Sequence, residues 1–205
     1  MTHMLPEALT DGMTLLRGFA ATADLLGPIE RVMEAAPLRH MRTPGGQTMS
    51  VAMTNCGPLG WVSDRRGYRY TPADPDSGEP WPPMPPVIKE LATDAAARAG
   101  FDGFEPDVCL INCYAPGTRL SLHQDRDERD FGQPIVSVSL GLSAVFLIGG
   151  VERRGPTRQI RLLDGDVLVF GGASRLIYHG IKPVEGGVHF IVGARRINLT
   201  FRKAA

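Results

Sequence analysis

The hydrophobic positions of the chain repeat with a helical period in two segments. In the first, the apolar side chains that fall on one helical face are Leu25, Leu26, Ile29, Val32, Met33 and Ala36. In the second, which spans residues 86–99, they are Val87, Ile88, Leu91 and Ala95. Pro37 follows the first segment and Gly100 the second, and both residue types are typical just beyond a helix end. The pattern therefore predicts two helices, both early in the chain.

After Gly100 the pattern changes to short apolar runs separated by glycine, proline and aspartate. We predict strands at residues 108–115, 120–123, 135–140, 144–148, 159–163, 166–170, 174–179, 189–192 and 197–202, preceded by strands at 48–55 and 68–70. Runs spaced by about 8–12 residues are typical of an antiparallel sandwich or barrel. The proline-rich segment 71–86, with Trp81 and Met84, predicts a packed extended loop. The expected fold class is α+β, with early helices and a jelly-roll body.

Length and composition limit the class of protein. With 205 residues, 43% of them hydrophobic, the chain is long enough for one domain with a full core. No apolar stretch approaches the 18 residues of a membrane span, and the N-terminus lacks the basic region of a secretory signal. The three cysteines form no CxxC pair, which argues against a disulfide framework or a structural zinc site. We expect a cytoplasmic protein without membrane contact.

The charged residues balance in number but not in kind. Twenty-two basic residues match 22 acidic ones. Arginine dominates the basic set, since only Lys89, Lys182 and Lys203 are lysine. A GC-rich genome explains a global excess of arginine, but local clusters occur at 65–69, 126–129 and 153–161. Guanidinium groups grip carboxylates and phosphates with paired hydrogen bonds, so these clusters are candidate anion contacts.

One histidine and one carboxylate lie at the end of a predicted strand. In an extended segment residues i and i+2 point to the same side, so His123 and Asp125 project together. A second histidine, His179, follows another apolar run. Two imidazoles and one carboxylate on one face of a metal leave the open positions that Fe(II) oxygenases need. A histidine beside an apolar run, as at His179, is more often an ordinary core residue. Spacing alone is therefore weak evidence for a metal site formed by His123, Asp125 and His179.

The last predicted strand alternates polar and apolar residues. Arg196, Asn198, Thr200 and Arg202 share one face. Two guanidinium groups on a buried face require anions, and a dicarboxylate satisfies both. Asn112 and Tyr114 share a face of another strand and offer additional donors. The alternative is that this face is solvated.

Four segments around the candidate residues form longer motifs. They are Asn-Cys-Tyr-Ala-Pro-Gly at 112–117, Leu-Ser-Leu-His-Gln-Asp-Arg-Asp-Glu at 120–128, Ser-Arg-Leu-Ile-Tyr-His-Gly-Ile at 174–181 and Arg-Ile-Asn-Leu-Thr-Phe-Arg at 196–202. These motifs resemble the AlkB family of Fe(II)- and 2-oxoglutarate-dependent dioxygenases, and the resemblance extends from about residue 14 over nearly the whole chain.

This resemblance implies a double-stranded β-helix, a form of jelly roll, in a single domain covering 1–205. Its N-terminal helices and nucleotide-recognition lid would occupy about 1–100, and its catalytic core about 101–205. His123, Asp125 and His179 would bind catalytic Fe(II). The cosubstrate 2-oxoglutarate would be held by Asn112, Tyr114, Arg196, Asn198 and Arg202.

The implied reaction is oxidative demethylation of bases of the 1-methyladenine and 3-methylcytosine type. It uses O₂ and releases formaldehyde, succinate and CO₂. The residues expected to bind the substrate are Trp61, Tyr68, Asp127 and Arg153. The chain departs from the family pattern at Cys113 and Ile197, which strand parity turns away from the cosubstrate, and at Asp64, Leu147 and Ile148 near the lid and outer strands. These departures bear on substrate preference.

Two other classes of protein compete with this interpretation. An oxygenase of the same fold acting on proteins or small molecules shares the metal residues and Arg202 but needs neither an aromatic lid nor Asp127. A non-catalytic jelly-roll binding module leaves the clustered Asn112, Tyr114, Arg196 and Arg202 unexplained. The expected partner is alkylated single- or double-stranded DNA, with RNA as an alternative, and the expected state is a monomer.

Overall fold

The computed structural model describes residues 5–205 and contains, within that range, thirteen strands, two α-helices and a short 3₁₀ helix. The helices are α1 (Thr22–Ala35) and α2 (Pro86–Arg98), and the 3₁₀ helix is Gly172–Ser174. The strands are β1 (Glu7–Thr10), β2 (Met13–Leu16), β3 (Ala52–Cys56), β4 (Gly60–Asp64), β5 (Gly67–Thr71), β6 (Val108–Tyr114), β7 (Leu120–His123), β8 (Ile135–Gly141), β9 (Ala144–Ile148), β10 (Arg158–Leu162), β11 (Val167–Phe170), β12 (His179–Ile181) and β13 (Arg196–Arg202). The described chain is thus mostly β-sheet with two early helices.

The strands form three antiparallel sheets. The large sheet has the order β1-β2-β11-β8-β13-β6-β3, and the small sheet has the order β10-β9-β12-β7. Strands β4 and β5 pair only with each other and form a separate hairpin. Both faces of β8 and β13 are buried, so these two strands form the centre of the large sheet.

The two faces of the large sheet differ in polarity. On β13, Ile197, Leu199 and Phe201 belong to an apolar cluster that also contains Ile29 of α1 and Ile88 of α2. The helices therefore cover the apolar face of the sheet. The alternate residues of β13, from Arg196 to Arg202, are also buried and face the opposite way. A second apolar cluster, which includes Phe146 of β9 and Phe170 of β11, packs around this polar centre.

Local sequence explains the helix ends. Pro86 is the first residue of α2, where a proline loses no intrahelical hydrogen bond. At the other end, Gly100 has φ +87°, Gly100 N donates to Ala97 O, and Phe101 N donates to Ala96 O. This is the glycine-dependent Schellman arrangement. Neither helix in residues 5–205 is long and apolar enough to cross a membrane.

The structure confirms both helices and most strands, with corrections. The prediction of strand 174–179 is wrong, because the 3₁₀ helix occupies its start and only His179 belongs to β12. The prediction of strand 189–192 is also wrong: His189 and Gly193 close a short turn instead. The strand predicted from residue 48 begins at Ala52, and Val87 is exposed rather than part of the apolar face of α2. Strands β1, β2 and β4 were not predicted.

The loop 71–86 packs as predicted and supports the hairpin β4–β5. Trp81 is buried in it, and its indole N–H donates to the carbonyl of Thr71 at 3.0 Å. Gly60, at the start of β4, lies against this indole so closely that an added Cβ would stand 2.4 Å from the ring. The absence of a side chain at residue 60 is therefore required for the hairpin to sit on Trp81.

Replacing Gly60 by alanine is expected to lower the free energy of unfolding by about 1–3 kcal/mol, because the methyl group overpacks this contact. Urea unfolding measures the change. Gly150→Ala is the matched control, since its methyl group meets open space. Equal stability of the two variants would contradict this account of Gly60.

Candidate metal and cosubstrate site

A cavity of about 720 Å³ opens at the polar centre of the large sheet. All twelve site residues predicted from the sequence line it: Trp61, Tyr68, Asn112, Tyr114, His123, Asp125, Asp127, Arg153, His179, Arg196, Asn198 and Arg202. They come from both larger sheets, from the hairpin β4–β5 and from the loops that follow β7 and β9. The fold thus brings residues that are far apart in sequence, such as Trp61 and Arg202, to one cavity.

Strand pairing positions the two histidines. His123 ends β7 and His179 begins β12, and the two residues are direct partners in the antiparallel pair. Their ring centroids are 4.4 Å apart. Asp125 Oδ1 lies 3.8 Å from Nε2 of His123, and Asp125 Oδ2 lies 3.7 Å from Nε2 of His179. One ligand atom from each residue lies within 4.8 Å of the other two, close enough to hold one metal ion.

Backbone carbonyls set the protonation of both imidazoles. Nδ1 of His123 lies 2.9 Å from Ser121 O, and Nδ1 of His179 lies 3.2 Å from Ile177 O. Because a carbonyl only accepts, Nδ1 carries the proton and Nε2 keeps its lone pair toward Asp125. Burial and the neighbouring His123 lower the pKa of His179 to about 4. Both features favour the neutral imidazole that a metal requires.

Asp125 remains ionised although it is buried. Burial alone would raise its pKa, but Arg202 and the two histidines outweigh that effect and lower it. Nη2 of Arg202 lies 2.9 Å from Asp125 Oδ2. Burial lowers the pKa of Arg202. The neighbouring Asp125, Tyr70 and Glu128 outweigh this effect and raise the pKa, so the guanidinium stays charged.

Arg196 is a buried cation without an ion pair in the described part of the chain. Its side chain is among the largest that are fully buried, at 1% exposure. Nη2 donates to Ser139 Oγ at 3.0 Å, and the guanidinium lies 4.9 Å from the ring centre of Tyr114. Nε and Nη1 have no hydrogen-bond partner within residues 5–205. Burying these donors unpaired is costly, so the site is suited to an anion.

The side-chain amides of Asn112 and Asn198 differ in how strongly they are hydrogen-bonded to the protein. Asn198 Nδ2 donates to Ser137 Oγ and to Val138 O, at 2.8 and 2.9 Å, so this amide is held by β8. Asn112 Nδ2 has only long contacts, 3.4 Å to Asn198 Oδ1 and 3.5 Å to Thr200 Oγ1. Asn112 is therefore the freer of the two amides to contact a bound molecule.

An aromatic pair from the hairpin lies at the cavity mouth. The rings of Trp61 and Tyr68 are stacked, with centroids 5.6 Å apart and an angle of 13° between planes. Trp61 Nε1 donates to Asp127 Oδ2 at 2.8 Å, so the indole also fixes this carboxylate. Arg119, Arg126 and Arg153 are exposed and line the same cavity.

The donor set fits a metal and a dicarboxylate cosubstrate. Two neutral imidazoles and one carboxylate on one side of an ion are the ligand set of non-haem Fe(II) oxygenases. Beside it, Nε and Nη1 of Arg196 and Nη1 of Arg202 are buried and have no hydrogen-bond partner within residues 5–205. Nε of Arg202 makes no hydrogen bond there either, but it lies 3.3 Å from Glu128 Oε1 as an ion pair. Fold and site together define a mononuclear iron oxygenase with an anionic cosubstrate.

Comparisons with known proteins agree with this class. The family model described as the 2OG-Fe(II) oxygenase superfamily matches residues 12–202. The alpha-ketoglutarate-dependent dioxygenase AlkB of Escherichia coli (strain K12) is 54% identical over 200 residues, covering 97% of this chain and 93% of that protein. The nucleic acid dioxygenase ALKBH1 of Mus musculus is 34% identical over 127 residues, covering 62% of this chain and 32% of that protein.

A solved structure agrees as well. The structure of OsALKBH1 superposes with a TM-score of 0.83 at 30% identity, covering 97% of this chain and 99% of that one. The chain therefore belongs to the AlkB family of the 2OG-Fe(II) oxygenase superfamily. Membership establishes a dioxygenase that uses Fe(II) and 2-oxoglutarate.

Sequence reasoning missed a group of buried residues behind the cavity wall. Arg175 donates to the carbonyls of Gln133 and Asp125 and lies 3.0 Å from Glu128 Oε2. Glu128 also contacts Arg202 and the hydroxyl of Tyr70. The sequence signal for this group was a charged residue next to an apolar run, as at Arg175. In the sequence such a residue is indistinguishable from a solvent-exposed residue of a turn, and only the structure shows that it is buried.

The buried imidazole makes the metal-free protein sensitive to acid. Because the pKa of His179 lies below its ordinary value of 6.5, the unfolded chain binds more protons between about pH 6.5 and 4. Stability from this residue is present above pH 6.5 and falls toward pH 4, by on the order of 3 kcal/mol. We expect urea midpoints of the metal-free protein to fall across this window, and to fall less in His179→Asn. Parallel pH profiles for both proteins would contradict the assignment.

Proposed function

We propose that this protein oxidatively demethylates N-alkylated bases in nucleic acid, of the 1-methyladenine and 3-methylcytosine type. The observation that carries the proposal is that one cavity is lined both by His123, Asp125 and His179 and by Trp61 and Asp127. An iron oxygenase needs the first group. The second group supplies a stacking surface and a carboxylate, which suit a flat cationic ring.

His123, Asp125 and His179 are the proposed iron ligands. Bound there, iron with 2-oxoglutarate and O₂ supplies the oxidation of an N-methyl C–H bond, with succinate and CO₂ as coproducts and formaldehyde released from the hydroxylated methyl group. The protein orients both substrates. The Nδ1–carbonyl contacts hold the imidazole planes, and Arg202 keeps Asp125 ionised.

Arg196 and Arg202 are the proposed anchors of 2-oxoglutarate. Arg196 offers two unpaired donors to the carboxylate far from the metal, with Asn112 and Tyr114 beside it. Arg202 touches the metal-binding Asp125, so its remaining donor belongs to the end near the metal. Asn198, already bonded to β8, supports this wall.

Trp61, Tyr68 and Asp127 form the proposed base-recognition site, with hairpin β4–β5 as the lid. A base inside a duplex cannot reach the buried ligands and has to be flipped out or unpaired. Stacking on an aromatic ring offsets about 1–3 kcal/mol of that cost. Asp127 accepts from the exocyclic amine, and both 1-methyladenine and 3-methylcytosine carry positive charge that strengthens this bond.

Arginines at the cavity mouth are the proposed phosphate contacts. Arg119, Arg126 and Arg153 are exposed around the opening, while the whole chain has zero formal net charge. Positive charge is thus concentrated where a nucleic-acid backbone would pass. We further propose a jelly-roll core within one domain, a monomeric state and a cytoplasmic location.

Formaldehyde release tests the proposed function. Oligonucleotides with one 1-methyladenine or 3-methylcytosine are incubated with Fe(II) and O₂, with and without 2-oxoglutarate. We expect stoichiometric formaldehyde and unmodified base only when 2-oxoglutarate is present. An enzyme that consumes 2-oxoglutarate but leaves every methylated oligonucleotide, DNA or RNA, unchanged would favour a protein or small-molecule substrate.

Arg196→Met is expected to weaken 2-oxoglutarate binding by about 30- to 4,000-fold, corresponding to about 2–5 kcal/mol for a buried charge pair. Arg195→Met is the matched control, because the neighbouring Arg195 instead pairs with Glu30 at 2.9 Å. Calorimetric titration of the Fe(II) protein without oxygen gives both affinities. A change below threefold in Arg196→Met would place the anion site elsewhere.

Asp127→Asn is expected to reduce kcat/KM on the cationic lesions by about 10- to 100-fold, the value of a charged hydrogen bond. Neutral lesions such as 3-methylthymine should lose much less, because no cation is recognised. Asp130→Asn removes a carboxylate three residues further along the same loop and serves as the control. Equal losses on both lesion types would contradict the role of Asp127.

A further inference from the structure

Glu128 is a buried carboxylate that the proposed reaction does not use. Its residue exposure is 6%, and it lies behind the cavity wall rather than among the lining residues. Oε2 lies 3.0 Å from Nη2 of Arg175, and Oε1 lies 3.3 Å from Nε of Arg202. With Asp125 the set contains two buried anions and two buried cations. Removing one member of such a set strongly destabilises the fold, because it leaves a buried charge without its partner.

The same carboxylate contacts the hairpin. The hydroxyl of Tyr70 on β5 donates to Glu128 Oε1, the oxygen that also faces Arg202. Arg202 and the hairpin therefore meet at one atom. Desolvation by burial, together with Glu128, raises the pKa of Tyr70, which keeps its hydroxyl a donor.

The hairpin is held at two adjacent points to the loop that follows β7. Trp61 and Tyr70 are cross-strand partners, and they donate to the consecutive residues Asp127 and Glu128. The Trp61 contact involves an exposed carboxylate, which a substrate amine can take over. The Tyr70 contact involves a buried one. The first contact is thus exchangeable, whereas the second anchors the hairpin throughout.

We propose that Glu128 is a positioning residue that couples the hairpin β4–β5 to Arg202, so that 2-oxoglutarate at Arg202 orders the hairpin before substrate arrives. This inference rests on the proposed cosubstrate site and deepens it. An anion on Nη1 of Arg202 fixes the guanidinium, and the shared Oε1 passes that constraint to Tyr70. Coupling between sites is reciprocal, so a nucleic acid that orders the hairpin also tightens 2-oxoglutarate binding.

Hydrogen exchange of residues 60–71 tests the coupling without nucleic acid. The Fe(II) protein is compared with and without 2-oxoglutarate, in the absence of oxygen. Couplings are typically 5- to 150-fold, so we expect the hairpin amides to exchange at least about fivefold more slowly with cosubstrate. Tyr70→Phe removes only the hydroxyl and should abolish this difference, with 2-oxoglutarate affinity within about threefold of wild type.

Thr71→Val is the matched control. It removes a hydroxyl from the next residue of β5, where Oγ1 donates to Ala73 O rather than to Glu128. This variant should keep the cosubstrate-dependent slowing. A wild-type hairpin that does not respond to 2-oxoglutarate, or a Tyr70→Phe hairpin that responds as wild type does, would overturn the proposal.

A second arm separates this inference from the proposed substrate. Affinity for a 1-methyladenine oligonucleotide is measured without oxygen, with and without 2-oxoglutarate, in wild type and Tyr70→Phe. The gain from cosubstrate should be at least about fivefold in wild type and below twofold in the variant. If the hairpin responds in the exchange experiment but no methylated oligonucleotide binds, the coupling stands and the proposed substrate fails. Glu128→Gln, which turns an amide N–H toward one of its donors, should lose the slowing as well.

Discussion

The burial of two guanidinium groups on one strand governs the arrangement of the whole site. Strand β13 is covered on both faces, and Arg196 and Arg202 lie on the side away from the helices. A buried cation is tolerated only when anions or acceptors surround it. Arg202 pairs with Asp125 and Glu128, whereas within residues 5–205 Arg196 contacts Ser139 and the face of Tyr114 and forms no ion pair. This difference between the two arginines is the reason why the anion site is proposed at Arg196.

The same constraint explains the unusual polarity of the large sheet. Sheets packed face to face normally bury apolar side chains between them. Here the helices take the apolar face of β13, and the sheet-facing side carries amides, hydroxyls and charges such as Asn112, Ser137 and Thr200. Apolar residues such as Phe146 and Phe170 surround this centre. The electrostatic interactions of the cavity are therefore strong, because low-dielectric walls enclose them.

Strand alternation predicted which polar residues share a face, but the roles of the site residues came from the resemblance to the AlkB family. Parity placed Arg196, Asn198, Thr200 and Arg202 on one face of the last strand. It turned Cys113 and Ile197 away, and these two residues pair with each other and do not line the cavity. His179 was found although its strand was predicted wrongly: the apolar run before it folds as a turn that lets Arg175 reach Gln133 and Asp125. The contacts of Glu128 were not predicted, because Tyr70, Arg175 and Arg202 are distant from it in sequence and periodicity does not indicate contacts between different elements. Strand β4 was not predicted, because its residues do not alternate between apolar and polar side chains.

The pairing of His123 with His179 also bears on the register of an edge strand of the small sheet. Strand β7 is only four residues long, lies at the sheet edge and pairs irregularly with β12. A slip of one residue along a strand turns every side chain to the opposite face. An ion held by both histidines would penalise any such slip, because His123 would leave the coordination sphere. Iron bound by both histidines would therefore also fix the register in which β7 pairs with β12.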